Sequence, residues 1–90
     1  PGTNTIVEGD VAVQTERTME NIKALLAEMD LDFSDVVKAT CYLQDMDDFQ
    51  AFNEVYGSYL REPFPARTTI QAARLPLDIL VEIEVIAQKR

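Results

Sequence analysis

Ninety residues, with 16 acidic side chains against 8 basic ones and a formal net charge of −8, make one domain near the size at which a single core buries only about 60% of the unfolded surface. The acidic field repels phosphate backbones and anionic bilayers, which argues against nucleic acid and membrane as partners. A hydrophobic fraction of 47% with 27% charged residues excludes a disordered chain, and the absence of histidine removes the commonest general base, most transition-metal sites and every Ser-His or Cys-His device.

Cys41, the single cysteine, excludes an internal disulfide and fits a reducing compartment. Inside an apolar run, with no histidine to activate it, it reads as a small core residue rather than a nucleophile. No apolar run approaches the ~20 residues that span a bilayer, and no basic stretch precedes a short hydrophobic one at the N-terminus. The expectation is a soluble, cytoplasmic protein.

PGTNTIVEGD opens with turn formers and no core element. From Val11 to Met29, the residues Met19, Ile22, Leu25, Leu26 and Met29 recur at helical spacing, which predicts an amphipathic helix capped by Asp10 and ended by DLDFSD. DVVKATCYLQ (35–44) predicts a strand with Val37, Ala39, Cys41 and Leu43 on one face and Val36, Lys38, Thr40 and Tyr42 on the other. MDDFQAFNEVYGSYL spaces Phe49, Phe52, Val55, Tyr56, Tyr59 and Leu60 three and four apart, a second helix opened by Asp47 or Asp48.

The prolines of REPFP break that helix. Two strands follow, ARTTIQAAR and ILVEIEVIA, joined by LPLD. In the second, Ile79, Val81, Ile83 and Val85 point one way and Leu80, Glu82, Glu84 and Ile86 the other. The order helix, strand, helix, strand, strand predicts an α+β fold. Its first two strands are parallel across a helical crossover, and its last two form an antiparallel hairpin that sets Gln71 opposite Glu82. Two helices on one face of such a sheet leave the other face open, so association through the sheet is expected.

Arg67 stands just after Pro65-Ala66 at the mouth of a strand. Its planar fork of donors suits a carboxylate ligand, and the alternative is an exposed arginine paired with one of the chain's many carboxylates. Glu82 and Glu84, beside Leu80 and Ile86, suit a general base or water-orienting group, or else a solvated sheet face. Asn53, among Phe52, Val55 and Tyr56, is a polar residue on an aromatic surface, with a capping or surface role as its alternative. Tyr42, Tyr56 and Tyr59 read as core or interface aromatics. DMDD (45–48) lacks the glycine and bidentate glutamate of a calcium loop and reads as acidic charge at a helix start.

The segments VVKATCYLQDMDDF, FNEVY, FPAR with ARLP, and VEIEVIA, in this order and spacing, resemble the reactive intermediate deaminase family, also called YjgF or L-PSP. The resemblance runs from about Val7 to the C-terminus. It implies a chorismate-mutase-like fold, a mixed sheet with two helices on one face, assembled as a homotrimer around a central barrel with clefts between subunits. It implies hydrolysis of 2-imino and 2-enamino acids to 2-oxo acids and ammonia, with no cofactor and no metal. On this resemblance Arg67 of FPAR grips the substrate carboxylate, Glu82 of VEIE positions or activates water, Thr69 stands where many relatives have cysteine, and Asn53 of FNEVY lies near the cleft. The GPYSQ-like and SGQI-like strands of the family do not occur in these residues, so residues 1–90 are expected to be one YjgF-like domain truncated at its N-terminus. A non-catalytic, small-molecule-binding or regulatory trimer is the alternative, since the family also carries translation-inhibitor and endoribonuclease descriptions. The cleft is expected at a subunit boundary, lined by two chains.

Overall fold

The computed structural model describes residues 10–61, 64–75 and 79–88. The opening turn formers, up to residue 9, and most of LPLD lie outside the described residues. Helix α1 spans Val11–Glu28, and Asp10 caps it as expected, its carboxylate accepting a hydrogen bond from the Val13 amide at 3.0 Å. Val11, Thr15, Met19, Ile22 and Leu26, three or four apart, form the buried stripe.

The helix ends in a Schellman turn. The amides of Asp30 and Leu31 reach back to the carbonyls of Ala27 and Leu26 at 3.0 and 2.8 Å. Asp30 takes φ 60°, the left-handed position usually given to glycine. Leu31 returns to pack on the core. A short 3-10 turn, Phe33–Asp35, follows with a capping box. The Asp32 carboxylate accepts from the Ser34 amide at 2.8 Å and the Asp35 carboxylate from the Asp32 amide at 3.0 Å.

Strand β1, Val36–Leu43, is the centre of a three-stranded sheet ordered β2-β1-β3, where β2 is Ala66–Gln71 and β3 is Val81–Ala87. The β1–β2 pairing is parallel, as predicted, with helix α2, Phe49–Ser58, in the crossover. β3 runs antiparallel to β1, not to β2, which overturns the expected hairpin. Gln71 stands beside Leu43 rather than Glu82.

The reason lies in the connection. Nine residues separate Gln71 from Val81, too many for a tight hairpin loop, and the described residues at both ends of this connection bond to the end of β1. The Ala72 amide donates to the Leu43 carbonyl at 2.9 Å, and the Gln44 amide donates to the Leu80 carbonyl at 3.0 Å. Two side-chain amides hold the crossing, Gln44 Oε1 accepting from the Leu75 amide at 2.8 Å and Gln14 Oε1 from the Leu80 amide at 2.7 Å. Leu75, within this connection, is buried.

A β-bulge corrects the predicted facing of β1. Pairing with β3 shifts between Val36 and Lys38, so one extra residue lies on β1 and the side-chain phase slips. Val36 is therefore buried and Val37 is 39% exposed, the reverse of simple alternation. Beyond the bulge the alternation holds. Ala39, Cys41 and Leu43, with Val81, join Met19, Ile22, Leu26, Phe52 and Tyr56 in one core under the two helices.

The second helix also starts differently. Asp45 caps a 3-10 turn, Met46–Asp48, through the Asp47 amide at 2.9 Å, and Asp48 at the head of α2 makes no side-chain cap bond. The acidic run sits where helix-start charge was expected. On the sheet's other face, Lys38, Thr40 and Tyr42 stand in register with Ile86, Glu84 and Glu82. Ile70, beside Tyr42, is 45% exposed and Ile86 is 59% exposed. Among the described residues no helix is long and apolar enough to cross a membrane.

Candidate functional site

Arg67 is the second residue of β2 and stands in register with Ala39, so its side chain rises on the helix-covered face at the sheet's edge. There it meets α2. Phe49, Asn53 and Tyr56 are spaced i, i+4, i+7 and line one face of that helix. The guanidinium carbon lies 5.4 Å from the centre of the Phe49 ring and 5.2 Å from that of Tyr56, and Nη1 donates to Asn53 Oδ1. Both rings are within the ~6 Å at which a cation is attracted to an aromatic face.

Arg67 and Asn53, two of the residues singled out from sequence, are thus brought into contact. They border a cleft of about 430 Å³ whose other walls are Tyr56, Gly57, Leu60, Phe64 and Pro65. Pro65 restricts Phe64 to extended backbone, which carries the chain along the mouth of the cleft. A Cβ at Gly57 would meet nothing within 4 Å, so the helix leaves open space there. The cleft combines an apolar wall with one fixed cation, the composition of a site for a small organic anion.

Thr69 follows on the same face, in register with Cys41. Its Oγ1 is buried and has no hydrogen-bond partner of good geometry among the described residues; the Cys41 thiol feels its hydroxyl across the strand pair. Burial pushes that thiol up to about 11, against the opposing pull of the Arg67 charge and the Thr69 hydroxyl. The expectation of an inert core cysteine fits this environment. Burial likewise pushes the Tyr56 phenol up to about 12, with Cys41 adding to the rise and Arg67 opposing it. Tyr56 is therefore a neutral ring beside the guanidinium.

Glu82 is elsewhere. It stands in register with Tyr42, which faces away from the helices, and it is partly exposed on the open face with Glu84 further out. Within one chain the sheet separates it from Arg67. Sequence reasoning took Phe49 and Tyr56 only as helix-face or core aromatics. The signal that could have found them was their spacing around Asn53.

Fold and site together define a small α+β domain that presents one oriented guanidinium at the edge of a mixed sheet. The chain belongs to the endoribonuclease L-PSP family, whose model matches residues 1–89. A RutC family protein of Pyrococcus abyssi is 51% identical over 89 residues, 99% of this chain and 70% of the relative. Protein DfrA of Myxococcus xanthus is 52% identical over 97% of this chain and 66% of its own length. Among solved structures, the YjgF gene product of E. coli superposes with a TM-score of 0.89 at 38% identity, covering 97% of this chain and 71% of that one. E. coli TdcF with bound serine gives 0.90 at 36% identity over the same shares.

Proposed function

We propose that the protein hydrolyses 2-imino and 2-enamino acids to 2-oxo acids and ammonia, as a homotrimer in a reducing, cytoplasmic compartment, with its clefts between subunits. The observation that carries this reading is the Arg67 guanidinium, held at the cleft by Asn53 and two rings, where it offers parallel donors to a carboxylate. A relative crystallised with serine, itself a 2-amino acid, supports a ligand of that class. Thr69 and Asn53 border the bound carboxylate.

The chemistry asks little of the protein. Water adds to C2 of the imine, its proton passes by way of a carboxylate to nitrogen, and the carbinolamine expels ammonia to leave the 2-oxo acid. Orientation and one proton relay accelerate such an addition. Glu82 from a neighbouring subunit serves as the relay, because its open-face position takes it away from the Arg67 of its own chain and towards any chain covering the sheet. The exposed Ile70 and Ile86 on that face favour such a covering. The test is a coupled assay in which an amino-acid oxidase generates the imine: the protein should shorten imine lifetime, and Arg67→Ala should not. Equal acceleration by both would sink the carboxylate clamp.

One observation favours a second reading. Among the described residues the cleft is lined by the Arg67 clamp and by no acid, so a cleft that binds small 2-oxo acids without turnover would serve a regulatory trimer. Saturable binding of 2-oxobutyrate with no change in imine lifetime would establish that alternative.

A further inference from the structure

We propose that Phe49 and Tyr56 are positioning residues for Arg67, holding its guanidinium in one orientation before any ligand arrives; the inference rests on the reading of Arg67 as the carboxylate site. Arg67 lies on an edge strand and is itself exposed. An exposed arginine on a flexible stem ordinarily samples many rotamers, and ordering it on ligand binding costs affinity. Here three residues of one helix face remove that freedom. Two rings lie 5.4 and 5.2 Å from the guanidinium carbon, and Asn53 accepts from Nη1.

The support beneath the clamp is rigid. Tyr56 is 5% exposed and stacks on the fully buried Phe52, with ring centres 5.4 Å apart. Phe49 packs against the same Phe52 ring, tilted, with ring centres 6.3 Å apart. The fixed core ring therefore sets the two rings that meet the cation. Asn53 consumes a single one of the five N–H donors of the fork, which leaves enough to form the paired bonds that a carboxylate accepts. Because the phenol stays neutral up to high pH, Tyr56 meets the guanidinium as an uncharged ring.

The prediction separates a positioning role from a structural one. Phe49→Leu should raise KM for the imino acid, and Kd for 2-oxobutyrate, roughly tenfold while kcat changes less than about twofold, since a carboxylate grip is made equally in ground and transition states. Tyr56→Leu should follow Phe49→Leu. In an Arg67→Gln background, Phe49→Leu should add no further loss, because the two changes act on one interaction. In the unsubstituted protein, the side-chain Nε–H resonance of Arg67 should be displaced upfield by the two ring faces, a measurement that needs no variant to fold. An unchanged KM and Kd in Phe49→Leu, alongside lost binding in Arg67→Gln, would overturn the positioning role and leave the carboxylate site standing. Undiminished 2-oxobutyrate binding in Arg67→Gln would overturn the carboxylate site, and the inference with it. An Arg67 resonance at its random-coil position would also overturn the clamp.

Discussion

Arg67 and Glu82 stand on opposite faces of one sheet, on strands that flank β1. Arg67 is in register with Ala39 and Glu82 with Tyr42, three positions apart on a strand whose side chains alternate. Contacts confirm the assignment, since Arg67 touches α2 and the neighbours of Glu82 on β3, Val81 and Ile83, pack towards the core. A site that uses both residues must draw them from two chains.

Complementation tests that consequence. Arg67→Ala and Glu82→Gln should each abolish imine hydrolysis, and subunits mixed after reversible dissociation should regain roughly a quarter of wild-type activity if each site takes one residue from each neighbour in a cyclic contact. Activity remaining at zero in verified mixed oligomers would place both residues' roles within a single chain, against the geometry.

Much of this arrangement was legible in the sequence, and the reasons differ by element. The α1 stripe and its Asp10 cap depend on local periodicity and one side-chain bond, so they could be read directly. The parallel β1–β2 pair followed from the helix between them. The place of β3 did not, because a strand pair close in sequence looks like a hairpin unless the intervening chain is anchored elsewhere, and the anchors here are Gln14 and Gln44, distant in sequence. The β1 bulge likewise has no local signature, and it alone decides that Val36 is buried and Val37 is not. For the site, Arg67 and Asn53 were found but not their contact, because strand register and helix face become linked only in the packed structure.

Cys41 should make stability fall at alkaline pH. Its thiol is raised from 9.0 to about 11, first of all by burial, so the native state keeps a proton that the unfolded chain releases. Stability is whole below pH 9 and declines as pH rises towards 11, because the native state binds more protons in that window. The loss is of order 2 kcal/mol at about 1.4 kcal/mol per pH unit, and Tyr56 adds to it from pH 10 upward. Urea midpoints at pH 8 and 10.5 measure the decline, which Cys41→Ala should reduce. The same slope in both proteins would show that Cys41 has no part in it. Iodoacetamide at pH 8 should modify the thiol only after denaturation.

Asp30 offers a gain in stability. At φ 60° a residue with a Cβ is strained relative to glycine, and a carboxylate at a helix C-terminus meets the negative end of the dipole. Asp30→Gly relieves both and should stabilise the fold by about 1 kcal/mol. Asp30→Asn relieves only the charge and should give less. Chemical denaturation at low and high salt separates the two contributions. An Asp30→Gly protein no more stable than wild type would mean that the carboxylate makes a compensating interaction.

The crossing between β2 and β3 depends on glutamine side chains, and Gln14 is the stricter test because it is 8% exposed. Its Oε1 accepts from the Leu80 amide, one residue before β3 begins. Gln14→Leu has nearly the same volume and keeps α1 helical, yet it removes the acceptor and leaves the Leu80 amide without it in a part-buried place. The expected cost is about 1–3 kcal/mol, read as a lower urea midpoint at unchanged slope. Hydrogen exchange should locate the loss, with the Leu80 amide and the first residues of β3 exchanging faster while the β1–β2 pairs keep their protection. Uniformly faster exchange across all three strands would show that Gln14 supports the whole core, and undisturbed exchange at Leu80 would show that the bond does not hold the crossing at all.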